Sequence, residues 1–184
     1  FASSFGSSVN NYIPNAEFAE SFEANDIRPA TLFQHRPGSP TLDKDFVIKY
    51  SGVGNSGTTD QPVFRLSEVY LSMAEAHFEK GETDLARDFM DAVRTARIGG
   101  YVSVGETGNV LRDAIRNERR KELAYEGHRF WDLNRWELGV ERGSSCTALA
   151  TGNCSLAAQD FKFTLPIPQH EMNVNPNMVQ NPGF

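Results

Sequence analysis

"PVFRLSEVYLSMAEAHFEKGETDLARDFMDAVRTARIGG" (62–100) carries two helical periods with a glycine between them. In the first half Leu66, Val69, Tyr70, Met73, Ala74 and His77 recur at intervals of three and four, the spacing of one helix face. Pro62 suits a helix start, and Gly81 supplies a C-terminal stop. In the second half Thr83 is the expected N-cap, with Leu85, Ala86, Phe89, Met90, Val93 and Ala96 along one face. The connection is short, so the two helices are expected to pack as an antiparallel hairpin. Small and bulky residues fall where such helices cross. The pair therefore looks like a tetratricopeptide-type unit, with an ordinary helical hairpin as the alternative, since no strict repeat at that period is detectable.

Downstream, Asn109 is a candidate N-cap for a third helix, with Leu111, Ile115, Arg119, Glu122 and Leu123 periodic up to Gly127. A short helix is expected at "FWDLNRWEL" (130–138). The tail "FKFTLPIPQHEMNVNPNMVQNPGF" (161–184) is expected to start as a short strand and then turn irregular, because Pro166, Pro168, Pro176 and Pro182 forbid sustained helix. Upstream, residues 1–60 are rich in Gly, Ser, Asn and Pro. Two islands stand out there. "NAEFAESFEAND" (15–26), with Asn15 as N-cap and Phe18 and Phe22 four apart, predicts a short amphipathic helix, and "DFVIKY" (45–50) predicts a strand. The organisation read from these patterns is a loop-rich region at 1–61, a helical region at 62–138, and a loop, short strand and tail at 139–184.

The 184 residues carry 18 basic against 24 acidic side chains, a formal charge of −6. That balance argues against nucleic acid as the main partner. No apolar run approaches the roughly 20 residues of a spanning helix. The opening "FASSFGSSVNNYIPN" (1–15) has neither a leader pattern nor a lipid-attachment cysteine, so the chain is expected to be the C-terminal part of a longer polypeptide. Cys146 and Cys154 bracket a small-residue loop. They read as a local disulfide formed in an oxidising compartment, with two free thiols as the alternative. A zinc site is not expected, because no second ligand pair lies at the required spacing.

The densest polar and aromatic segment is "NERRKELAYEGHRFWDLNRWE" (117–137). Glu118, Glu122 and Glu126 fall four apart, and past Gly127 come Arg129, Asp132 and Arg135, three apart. Two such stripes joined by a tight turn could pair as a structural ion network under Tyr125, Phe130, Trp131 and Trp136. A solvated charged face is one alternative and paired-carboxylate catalysis another. Neighbouring basic residues would lower a carboxyl pKa rather than raise it to make a general acid, so no catalytic residue is expected. Trp131 and Trp136 are expected in the core. His77, His128 and His170 are read as structural rather than metal-binding, and no cofactor is expected.

Three motifs, "RLSEVYLSMAEAHFEKG" (65–81), "IRNERRKELAYEGHRFWDLNRW" (115–136) and "LPIPQHEMNVNPNMVQNPGF" (165–184), resemble in order and spacing the C-terminal part of the SusD/RagB family of surface nutrient-binding proteins. "SFEANDIRPATLF" (21–33) is similar to that family's Asp-x-Arg segment. The resemblance implies a mainly α fold, a tetratricopeptide-like hairpin scaffold with a loop-rich ligand-binding region and short strands. It also implies a surface-exposed lipoprotein of the outer membrane in a Bacteroidota-type bacterium. Such a protein caps a SusC-like TonB-dependent transporter barrel, captures oligosaccharides or peptides, and has no catalytic activity. Membrane attachment would then come only through a lipid anchor outside this segment. The loop 143–160 has no counterpart that the resemblance explains.

Three functions are therefore open: a transporter-associated glycan- or peptide-binding protein, a helical-repeat adaptor for a protein partner, and a hydrolase acting through Glu118 or Glu122. Sugars are held by aromatic faces with polar groups on the hydroxyls. Tyr12, Phe33, His35 and Tyr50, in or near the loop-rich first third, are the candidate ligand-binding residues.

Overall fold

Residues 14–36, 44–49, 62–143, 146 and 154–184 are described by the computed structural model of the chain. They divide into two compact units at the Glu126–Gly127 bond, inside the segment that the sequence reading treats as one helical region. The fold is mainly helical.

In the first unit, α1 (Ala16–Ala19) starts at Asn15, whose side chain accepts the Phe18 N–H at 2.9 Å. The helix expected over 15–26 lasts only this one turn. Next come α2 (Pro29–Leu32), β1 (Phe33–Arg36) and β2 (Lys44–Val47), the two strands pairing antiparallel with Phe33 opposite Val47.

The hairpin is α3 (Leu66–Glu79) and α4 (Thr83–Arg97). At the end of α3, Gly81 adopts φ 77°, and the Glu82 N–H bonds back to the His77 carbonyl at 2.9 Å. That left-handed residue closes the helix as the sequence predicts. Three details differ. The first helix begins at Leu66 rather than at Pro62, Thr83 lies inside α4 with Glu82 as cap, and the buried face of α3 is Leu71 and Ala74. Leu66 and Val69 are 67% and 47% exposed. The reason is that α3 carries apolar residues on more than one side, so periodicity alone cannot choose which side is covered.

The third helix, α5 (Gly108–Glu122), is capped by Thr107, and Asn109 falls within it. Its buried stripe is Leu111, Ile115, Glu118 and Glu122, with Arg119 beside it. The first two turns of that stripe are apolar and close a core with Ala74, Ala86 and Met90. The last two are acidic. Ala74 and Ala86 are completely buried, and their size lets the helix backbones approach.

The second unit begins with α6 (His128–Arg135), which buries Asp132 and Leu133. Strands β3 (Val140–Glu141) and β4 (Ser155–Leu156) pair antiparallel. The Leu156 carbonyl oxygen would clash with a Cβ on Gly139, so a side chain there forces the backbone to shift. Gly139→Ala is expected to lower stability by about 2 kcal/mol in urea unfolding, by forcing the strands apart. An unchanged unfolding midpoint would show the strand pair to be dispensable.

Cys146 and Cys154 are joined, with Cα atoms 5.7 Å apart. Closing so short a loop should stabilise the native state by up to roughly 2.5 kcal/mol. Non-reducing peptide mass spectrometry is expected to find that peptide two hydrogens lighter than its reduced form. Two alkylatable thiols in freshly purified protein would contradict the pairing.

The tail opens with a 3-10 turn at Phe161–Phe163, not the expected strand, because the Asp160 side chain caps the Lys162 N–H at 2.9 Å. After it comes α7 (Gln169–Val174). Prolines remove backbone donors between them, and side-chain amides fill the gap. Gln180 accepts the Ile167 N–H at 2.8 Å and donates to the Ile167 carbonyl at 2.9 Å, while Asn181 donates to the Leu165 carbonyl at 2.7 Å.

Candidate functional site

The acidic end of α5 and Glu126 just past it meet cations drawn from four other segments of the first unit. Glu118 accepts from Arg28 Nη1 at 2.6 Å and from Arg94 Nε at 3.3 Å. Glu122 takes a two-pronged contact from Arg97, Nε at 3.0 Å and Nη2 at 2.9 Å, and a third bond from Arg65 Nη1 at 2.9 Å. Glu126 accepts from Arg65 Nε at 3.0 Å and from the Lys49 ammonium. Arg28 is itself held by Asp26, which accepts from its Nη2 at 2.6 Å and from its backbone N–H at 2.8 Å. The Asp-x-Arg spacing puts both bonds within reach of one carboxylate.

Two of these cations also satisfy the carbonyls that the end of a helix leaves without partners. Arg65 Nη2 donates to the Glu122 carbonyl at 2.8 Å, and Lys49 Nζ donates to the Ala124 carbonyl at 2.8 Å. Positive charge at this end also complements the helix dipole. Glu118 and Glu122 thus expose 1% and 2% of their side chains without being isolated.

Burial pushes the Glu122 carboxyl up, but the hydrogen bonds from Arg97 and Arg65 outweigh it and hold the group at about 2. Glu126 is likewise pushed up by burial and drawn down further by Arg65 and Lys49, so it too lies below the usual carboxylate range. A carboxyl held at about 2 is ionised at neutral pH and has no proton to give as a general acid.

Against this network a hollow of about 200 Å³ opens, lined by Arg28, Lys49, Arg65, Arg97 and Glu122 of the network together with Ile27, Thr31, Leu32 and Lys121. Next to it stands an aromatic cluster. Phe18, Phe22, Phe33 and Tyr125 meet edge to face at centroid distances of 5.2–6.2 Å. The Arg120 guanidinium lies 5.0 Å over Phe18 and the Lys121 ammonium 5.5 Å over Phe22. Phe18 is buried, whereas Tyr125 is 43% exposed.

Of the candidate ligand-binding residues, Phe33 belongs to this cluster, half-buried, and His35 is exposed on the same strand. Tyr12 and Tyr50 lie outside the described residues. Glu118, Glu122 and Glu126 stand at the centre of the ion network, with partners that their own neighbourhood in sequence does not contain. In the second unit, Asp132 accepts from Arg135 Nε at 2.9 Å, and Arg135 lies 4.6 Å over the Trp136 ring. Arg129, expected in the same stripe, is exposed.

Trp136 is buried, but Trp131 is 60% exposed, contrary to the core position expected for both. The helical turn explains it. Asp132, Leu133 and Trp136 take the covered side of α6, which leaves Trp131 and Asn134 outward. His77 stacks on Phe89 at 5.3 Å and contacts Glu82, His128 is half-buried, and His170 is exposed 3.9 Å from Glu171. Among the described residues no group of three His, Cys, Asp or Glu side chains is placed to hold a metal ion.

Sequence reasoning missed Arg65, Arg94, Arg97 and Lys49 as partners of the acidic stripe. Only Arg28 carried a signal, through the Asp-x-Arg segment.

A model of the SusD family matches residues 41–184. The chain is 29% identical over 179 residues to SusD-like protein P25 of Formosa agariphila, covering 92% of this chain and 34% of that protein. It is 31% identical over 138 residues to the starch-binding protein SusD of Bacteroides thetaiotaomicron, covering 68% of this chain and 22% of that protein. Among solved structures, a putative sugar binding protein from Bacteroides vulgatus superposes with a TM-score of 0.73 at 28% identity, over 91% of this chain and 38% of that one. The chain thus spans about a third or less of the length of the curated relatives it matches.

Proposed function

The chain belongs to the SusD family, and from that premise we propose that it is part of a carbohydrate-binding protein of the bacterial surface, one that captures oligosaccharides without cleaving them. The family match over residues 41–184 carries this reading. The likeness to a starch-binding protein and to a putative sugar binding protein supports the ligand class. In this reading the protein is a lipid-anchored component of the outer membrane and delivers its ligand to a SusC-like TonB-dependent transporter.

The electrostatics of the first unit agree with a binding role. Glu122 and Glu126 are held ionised by Arg65, Arg97 and Lys49, which suits a rigid scaffold better than proton transfer. The test is binding and turnover measured together on the full-length protein. Calorimetry against an oligosaccharide panel should give saturable binding, and a reducing-end assay on the same mixtures should show no release. Affinity purification from outer membranes should recover a β-barrel transporter. Glycan turnover by the pure protein, with no barrel recovered, would overturn the assignment.

The adaptor reading keeps one specific observation in its favour. Leu66, Val69 and Met73 form an exposed apolar stripe on α3. Recovery of a protein partner through that stripe, with no binding to any glycan, would favour it over carbohydrate capture.

A further inference from the structure

Tyr125 combines three features that packing alone does not require. Its backbone sits at φ 64°, in the left-handed region that side-chain-bearing residues avoid at a cost of roughly 1–2 kcal/mol. Glycine or asparagine would occupy such a turn with less strain. Its phenol hydroxyl has no hydrogen-bond partner among the described residues, and the residue is 43% exposed. Partial burial of the phenol group pushes it up to about 12. The hydroxyl is therefore a protonated donor at neutral pH.

The ring does not stand alone. It meets Phe18 at 6.1 Å and Phe33 at 6.2 Å, both edge to face, so it is braced from behind. A braced, partly exposed aromatic ring whose hydroxyl has no partner among the described residues suits one ligand chemistry well. The apolar C–H face of a pyranose can lie on such a ring while a sugar hydroxyl bonds to the phenol. Strain held at an exposed side chain is what a binding residue shows when its position, rather than its contribution to stability, is what matters.

We propose that Tyr125, backed by Phe18 and Phe33, is a saccharide-contacting residue, stacking on a sugar ring and hydrogen-bonding to it through the phenol O–H. The proposal rests on the carbohydrate-binding reading above and gives it a location in this chain.

The decisive variant is Tyr125→Phe, which keeps the ring, the backbone strain and the edge contacts and removes only the hydroxyl. The full-length protein and the variant are compared on an array of maltooligosaccharides, β-glucan, galactan, mannan and uronate oligomers, followed by calorimetric titration with the tightest of these. Loss of one neutral hydrogen bond should weaken binding roughly 2- to 10-fold with the melting temperature unchanged. Tyr125→Ala, which also removes the ring, should weaken it further. A Tyr125→Phe protein that binds the array sugar as tightly as wild type overturns the proposal and leaves the carbohydrate-binding reading standing. A wild-type protein that binds no glycan on the array defeats that reading itself, and the assignment of Tyr125 falls with it.

Discussion

Replacing Arg28 with alanine is expected to lower the unfolding free energy by about 3–5 kcal/mol, the range for removing one partner of a buried ion pair. The Arg28 side chain is 6% exposed, and its partners Asp26 and Glu118 are 0% and 1% exposed. Without the guanidinium, Asp26 loses the Arg28 side-chain donors, and Glu118 keeps, among the described residues, only the longer bond from Arg94 at 3.3 Å. Water cannot readily replace what is lost, because the carboxylates are covered. The loss should appear as a lower midpoint in urea unfolding with the slope preserved. Arg28→Lys should recover only part of it, since an ammonium cannot span Asp26 and Glu118 as the planar guanidinium does. A midpoint for Arg28→Ala within experimental error of wild type would mean that the network is not a brace.

Acid should unfold the first unit by protonating Glu122. The ordinary value for this carboxyl is 4.5, and the folded protein holds it at about 2. A depressed folded-state value means that the native state favours the ionised form, so the stabilisation is complete above about pH 4.5. It is lost progressively as the pH falls from there toward about 2. The difference corresponds to roughly 3 kcal/mol. Glu126, also held low, adds in the same direction. Glu122→Gln would abolish most of this dependence while lowering stability at neutral pH, because three arginine contacts would lose their charged partner. Stability measured by urea unfolding across pH 2–6 checks the sign. A wild-type curve that is flat below pH 4.5 would contradict the coupling.

Both expectations concern interactions that join distant parts of the chain. Arg28 and Glu118 are 90 residues apart, and Arg65 and Glu122 are 57 apart. Glu118 and Glu122 are legible because a spacing of four places them on one side of a helix, whereas Glu126, expected on the same stripe, lies past the end of α5 and beyond the left-handed Tyr125. The partners of all three are not legible. Spacing points to cations in the adjacent stripe past Gly127, whereas these carboxylates meet Arg28, Arg65, Arg94, Arg97 and Lys49. Whichever segment chain closure brings over the end of α5 decides the pairing, and no local rule encodes that.

The candidate site divides in the same way. In sequence, Phe33 and His35 stand out as residues in or near a loop-rich region, whereas Tyr125 reads only as cover for the ion network. Its left-handed backbone, and a hydroxyl without a partner among the described residues, leave no mark in sequence spacing.

What the sequence determined by itself was local and periodic. The helical hairpin, the glycine stop at Gly81, the Asn15 cap and the acidic stripe of α5 all follow from spacing within one or two turns, where backbone geometry dictates which side chains are neighbours. The tertiary structure alone decided which face of α3 is covered, which of Trp131 and Trp136 is buried, and which cations neutralise Glu118, Glu122 and Glu126. Those outcomes depend on competition among apolar faces and charged groups for the same interior, and that competition is settled only when segments far apart in sequence are brought together.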